Sequence, residues 1–256
     1  MKSALAQLQW HYENRAAYAR EQHRLGQPVI GITANTVPWE LIRAAGATPV
    51  LLSPQGTTTL LADEFMEPVF DQAVRVTFDR VLAGEWSFLK MLVVPRTAEQ
   101  QYKLFLYLRE ATRQGNTNIP PTHLYDLLHT RTPRSAAYGL ARTRDLAAQL
   151  TSITGAVLSD TALAAAIQES NDARVAIRQL LRLRRRRKPK LSGAQAMTIL
   201  GAWNFMNRAE YTALANQAAN ELRQQPALAG PAGRPGGRRE RRLWFSPQAA
   251  GVRLIP

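Results

Sequence analysis

The chain has 256 residues, no cysteine and a formal net charge of +14. The absence of cysteine excludes disulfides, thiolate catalysis and cysteine-ligated zinc or iron–sulfur sites within this sequence. No apolar run approaches the roughly 20 residues that cross a bilayer. The N-terminus also lacks the apolar segment of a secretory signal, so we expect a cytoplasmic protein with no membrane partner.

The basic charge is confined to the last third of the chain. Residues 1–173 hold 16 Lys and Arg against 16 Asp and Glu, whereas residues 174–256 hold 17 against three. An anionic partner would therefore be attracted to the C-terminal part of the protein and not to the first two thirds.

The first half of the chain alternates between predicted strands and helices. The patterns predict helices at residues 3–24, 38–46, 65–82 and 99–114, and strands at 29–32, 48–52, 91–94 and 119–128. This alternation is typical of an α/β fold with a parallel, Rossmann- or flavodoxin-like sheet and helices on both faces. We therefore predict an α/β domain over residues 1–132.

The second half of the chain is predicted to be helical. Apolar residues at helical spacing predict helices at 135–153, 160–186, 192–206 and 209–224, which we interpret as a helical cap over 133–224. Residues 225–256 are rich in Pro, Gly and Arg, a composition that predicts a disordered tail or a remnant of a second domain.

Polar residues follow the predicted strands, where open α/β sheets bind their ligands. The candidate substrate-binding residues are Thr33, Asn35, Pro38, Glu40, Arg96, Thr97 and Glu99. Structural interpretations compete with binding, because Glu40 suits the first turn of any helix and Thr97 could cap the helix that follows it. Asp126, His129 and Arg131 follow the last predicted strand and are further ionisable candidates, although a lone histidine is more often structural.

Several short motifs resemble one known family in order and spacing. They are Gly31, Pro38-x-Glu40, Ala44-Ala45-Gly46, Pro49-Val50, Val93-Val94-Pro95, Asn171-x-x-Arg174 and Leu191-Ser192-Gly193. Over residues 25–224 the chain resembles subunits of the 2-hydroxyacyl-CoA dehydratase and benzoyl-CoA reductase family, of the 2-hydroxyglutaryl-CoA dehydratase D-component type. The resemblance implies a subunit that holds a [4Fe–4S] cluster on strand-end cysteines and passes an electron to an acyl-CoA thioester.

The family's cluster ligands are missing from the matching positions. Two of its cysteines align with Ala34 and Ala98, and the segment 67–75, where the remaining ligand should fall, has none. We therefore expect no metal and no cofactor on this chain. The resemblance also implies a second α/β domain, in whose place the sequence has residues 225–256. A natural truncation, a frameshift in the coding sequence and a fragment are the three open explanations.

Three functional hypotheses follow. The first is a degenerate acyl-CoA-binding or scaffolding subunit, paired with a cysteine-bearing homologous subunit or with a second copy of itself. The second is a nucleic-acid-binding protein that uses the Arg-rich last third of the chain. Because no aromatic residue interleaves with its most basic run, residues 182–190, nucleic acid is the less favoured partner. The third is an acyl-CoA enzyme that works without a cluster and uses Glu99, Asp126 and His129 as acid–base groups.

Overall fold

The computed structural model describes residues 3–228 of the chain. Contacts divide the protein into two compact units. The first, here called the sheet unit, is Ala19–Ala166, and the second, the helical unit, combines Met1–Tyr18 with Ile167–Pro256. The chain therefore enters and leaves the sheet unit from the helical one.

A four-stranded parallel sheet forms the centre of the sheet unit. Its strands are β1 (Val29–Ile32), β2 (Thr48–Leu51), β3 (Met91–Pro95) and β4 (Thr122–Tyr125), in the order β2-β1-β3-β4. Every residue of the first three strands is buried, which explains why they read as unbroken apolar runs. The α/β fold with a parallel sheet is confirmed, and the strand order is that of flavodoxin-like folds.

Five helices belong wholly or mostly to the sheet unit. They are α2 (Ala17–Arg24), α3 (Trp39–Ala44), α4 (Gln72–Leu82), α5 (Glu99–Arg113) and α6 (Pro133–Thr154). Helix α3 contacts α6, and α4 contacts α5. The connection from β1 to β2 through α3 runs in the opposite direction along the sheet to the connections through α4 and α5. Because such connections are right-handed, α3 lies on one face of the sheet with its contact α6, and α4 and α5 lie on the other.

The helical unit contains α1 (Ala4–Glu13), α8 (Gly193–Ala202), α9 (Arg208–Gln224) and most of α7 (Asp160–Arg184). Helix α1 packs against α8 and α9. Their shared core includes Leu8, Leu180 and Tyr211, each fully buried. A capping box between Ser192 and Gln195 fixes the start of α8.

Four predicted elements differ from the structure by more than two residues at an end. One is the helix predicted over 192–206, which is α8 and ends at Ala202. The helix predicted over 3–24 is two helices, because the backbone leaves helical geometry at Asn14, the C-cap of α1, whose side-chain amide donates to Trp10 O at 2.9 Å. The helix predicted over 65–82 begins only at Gln72, where Asp71 accepts bonds from two backbone N–H groups. The strand predicted over 119–128 is confined to Thr122–Tyr125.

The contact division also differs from the predicted domain boundaries. Helix α1, predicted as part of the α/β domain, belongs to the helical unit. Helix α6, predicted as part of the cap, belongs to the sheet unit. Most of the predicted tail, residues 229–256, lies outside the described residues. Within residues 3–228, no helix is both long and apolar enough to cross a membrane.

Candidate functional site

The candidate site lies at the carboxyl ends of β1 and β3. These strands are neighbours, but the chain leaves them in opposite directions across the sheet, which creates the crevice where such folds bind ligands. The backbone N–H of Thr33 donates to Val93 O at 3.2 Å. Its hydroxyl donates to Gln101 Oε1 at 2.7 Å. The loop after β1 is thus tied to both β3 and α5.

The loop after β1 presents half-buried polar groups. Thr33 and Asn35 are both half-buried. A hydrogen bond from Val37 N–H to Ala34 O closes the turn that contains Asn35. Pro38 is the N-cap of α3, and Glu40 lies half-buried in its first turn. Because α3 has only six residues, fewer than two turns, its dipole adds little to an anion site.

Arg96 is held at the end of β3 by three contacts. Its backbone N–H donates to Tyr125 O at 3.0 Å, and its Nη1 lies 3.4 Å from Asp126 Oδ2. The guanidinium also lies 4.6 Å from the ring centroid of Tyr102. Even so, half of the side chain is exposed, so the cation at this strand end is open to solvent.

Asp126 connects Arg96 to α6. The Tyr138 hydroxyl donates to Asp126 Oδ2 at 2.8 Å, and this bond raises the pKa of Tyr138 above its ordinary value. The carboxylate is only 16 % exposed and accepts from both partners. The structure therefore brings together Arg96 and Asp126, two residues that the sequence placed after different strands.

Thr97 and Glu99 are not drawn into this cluster. The N-cap of α5 is Ala98 in an extended conformation, so the interpretation of Thr97 as the capping residue is wrong. Glu99 is exposed and lies 2.8 Å from Lys103 Nζ, whose hydrogen bond lowers the pKa of Glu99. A surface carboxylate with a lowered pKa is a weak proton acceptor.

His129 and Arg131 lie elsewhere in the sheet unit. Both are exposed and line a shallow cavity of about 490 Å³ beside the start of α6. Among residues 3–228, no hydrogen bond or ion pair joins His129 to Asp126 or Glu99. The acid–base set of the third hypothesis is therefore not assembled by direct contacts.

The sequence did not identify three residues that shape the site. Gln101 and Tyr102 lie in the first turn of α5, and Tyr138 lies in α6. The signal for the first two was present, because a helix that follows a strand end directs its first turn toward the crevice. No sequence signal pointed to Tyr138, because its contact with Asp126 depends on how α6 packs against the end of β4.

The residues present do not fit the [4Fe–4S] cluster that the resemblance implies. Such clusters need cysteine thiolates, and the sequence contains none. Ala34 and Ala98, which follow β1 and β3, offer only methyl groups. Among the described residues, no three His, Asp or Glu side chains are grouped to hold a metal ion.

Comparison with known families identifies the chain. A family model described as 2-hydroxyglutaryl-CoA dehydratase, D-component, matches residues 35–247. The chain belongs to this dehydratase family. The resemblance seen in the sequence is thus confirmed, and the matched region contains α3 through α9 together with β2, β3 and β4. No curated protein matches the chain.

Proposed function

We propose that this dehydratase-family chain is an acyl-CoA-binding subunit that does not carry the family's cluster. The observation that supports this most directly is the strand-end crevice itself. It carries the polar residues Thr33 and Arg96, each held by a contact to a neighbouring element. The resemblance aligns Ala34 and Ala98 with cluster cysteines, and neither alanine can ligate iron. A binding role can survive such changes, whereas electron transfer through a cysteine-ligated cluster cannot.

Arg96 is the residue we assign to the anionic part of the ligand. A guanidinium matches the oxygen pairs of phosphate or carboxylate groups, which CoA thioesters carry. Its present partner is Asp126 at 3.4 Å, with the Arg96 side chain half exposed. A ligand phosphate can bind the exposed half of the guanidinium without displacing Asp126, and a hydrogen bond to a charged group contributes about 1.5–3 kcal/mol.

Thr33 and Asn35 would bind the ligand from the opposite side of the crevice. The Thr33 hydroxyl donates to Gln101 at 2.7 Å, so its position is fixed by a bond to α5. Because its proton goes to Gln101, the Thr33 hydroxyl can only accept a further hydrogen bond. The side-chain amide of Asn35 is the group that can donate to a neutral acceptor such as a thioester carbonyl. The roles of Pro38 and Glu40 are to start α3 and thereby to hold this loop.

The same proposal assigns a partner. The matched family description names one component of a dehydratase. A chain without thiolates would act beside a cysteine-bearing homologous subunit, or as a homodimer that stores or delivers the thioester. Copurification with a cysteine-bearing homologue supports the first arrangement, and a stable dimer of this chain alone supports the second.

Calorimetric titration of the full-length protein with acetyl-CoA tests the binding role. We expect saturable binding that Arg96→Gln weakens about tenfold or more, because a hydrogen bond to a charged group contributes about 1.5–3 kcal/mol. Arg96→Lys should restore part of the affinity, since it keeps the charge but loses the fork geometry.

Arg109→Gln is the matched control. Arg109 is exposed on α5 and lies outside the strand-end crevice, so its loss removes the same charge without touching the site. Absence of any acetyl-CoA binding, or equal weakening by the two Gln variants, contradicts the proposal.

A further inference from the structure

A cluster of arginines forms a defined corner of the helical unit. Residues 182–190 carry five Arg and two Lys at the end of α7 and in the bend before α8. Leu183 and Leu191, each 1 % exposed, fix the two ends of this bend in the core. Lys190 N–H also donates to Leu183 O at 3.2 Å. We call residues 182–190 and Arg223 the basic corner.

Two other parts of the chain meet this corner. The Lys190 ammonium donates to Arg223 O, which brings the end of α9 beside the bend. Leu228 N–H donates to Pro189 O at 2.8 Å. The sequence that follows Leu228 contains five further arginines within residues 234–242.

The positive charge of the basic corner is not neutralised locally. Within residues 3–228, no ion pair joins any of its cations to a carboxylate. The carboxyl ends of α7 and α9 each carry about half a negative charge. Together they offset about one of the corner's eight positive charges. Most of the charge is therefore available to a partner.

The chemistry of the corner favours phosphates over a protein surface. Protein interfaces usually bury aromatic or apolar anchors at their centre. Residues 182–190 include no aromatic side chain, and the exposed apolar residue beside them is Leu228. Arginine forks bind phosphate oxygens in pairs, and a surface made of such contacts positions a nucleic acid without reading its bases.

We propose that the basic corner binds the phosphate backbone of duplex nucleic acid without sequence preference. This activity is independent of the acyl-CoA site, because it uses residues of the helical unit alone. From the sequence, nucleic acid was the less favoured partner because the basic run contains no aromatic side chains that could stack on bases. A duplex keeps its bases stacked on one another, so that objection does not apply to backbone binding.

Fluorescence anisotropy of the full-length protein with labelled 20-base-pair duplexes tests this proposal. Binding should weaken with salt along a straight log–log line, with a slope of about −0.9 for each phosphate contact. The variant R185Q/R186Q/R187Q should weaken binding at low salt and reduce the slope by about two to three, because each of these three exposed arginines contacts one phosphate.

The matched control is R109Q/R134Q/R144Q, which removes the same charge from exposed positions of the sheet unit. It should bind nearly as the unmodified protein does, and circular dichroism of both variants checks folding. Three results would overturn the proposal: a protein that does not bind the duplex at low salt, two variants that lose duplex affinity equally, or a strong preference for one duplex sequence. Equal, salt-dependent binding of a polyglutamate peptide would overturn it in favour of an acidic protein partner.

Discussion

Gly31 offers a direct test of how the sheet positions the strand-end crevice. A Cβ added at Gly31 would lie 2.6 Å from Leu89 Cδ1, 2.8 Å from Leu52 Cδ1 and 3.0 Å from Leu92 Cδ1. All three leucines are at most 4 % exposed, so any shift of their Cδ1 atoms has to take place inside the core. Gly31→Ala therefore forces a displacement of β1 or of several core side chains.

The expected cost follows from these distances. Adding a methyl group to a well-packed core typically costs about 1–3 kcal/mol. Three simultaneous close contacts place Gly31→Ala in the upper part of that range. Because Thr33 follows β1 directly, the same displacement should disturb its bond to Gln101 and weaken acetyl-CoA binding.

Urea unfolding followed by tryptophan fluorescence measures the change. The control is Gly139→Ala in α6, where the new Cβ would lie at an ordinary 3.6 Å from Leu127 Cδ2. That variant should be stabilised by up to about 1 kcal/mol, because alanine favours a helix more than glycine does. An unfolding midpoint for Gly31→Ala equal to that of the unmodified protein would refute the packing described for β1.

Three further predictions concern single residues. Thr33→Val should lower the free energy of unfolding by about 0.5–1.5 kcal/mol, as it loses a hydrogen bond to Gln101, and the loss should show in urea unfolding. Tyr211→Phe should cost about 1 kcal/mol by the same assay, because the buried Tyr211 hydroxyl donates to Ile199 O. Burial lowers the pKa of His123 from 6.5, so the unfolded chain binds protons first and stability should fall as pH drops below 6.5. His123→Gln should reduce this pH dependence without removing it, because burial also lowers the pKa of His11. A midpoint that falls as steeply as in the unmodified protein would contradict the prediction.

The fold was largely accessible from the sequence, because buried parallel strands and amphipathic helices have distinct patterns. Strand β1 and helix α5 were predicted almost to the residue. The prediction failed where one side chain decides a boundary, as when Asn14 ends α1 and Asp71 starts α4. Such caps act through single hydrogen bonds, which periodicity does not register.

The site was predicted less completely than the fold. Strand ends identified Thr33 and Arg96, since their place in an open sheet follows from the topology. The contact of Asp126 with both Arg96 and Tyr138 depends on how α6 returns to the sheet. Side-chain rotamers and the packing of elements that are distant in sequence decide such contacts. The local spacing of apolar and polar residues predicts neither.

Iron and acid-labile sulfide content of the anaerobically purified full-length protein tests the central claim most directly. The account predicts neither element in stoichiometric amount, because alanines stand at positions 34 and 98 and the sequence contains no cysteine. The same preparation should still bind acetyl-CoA. A stoichiometric iron–sulfur cluster on this chain would contradict the account.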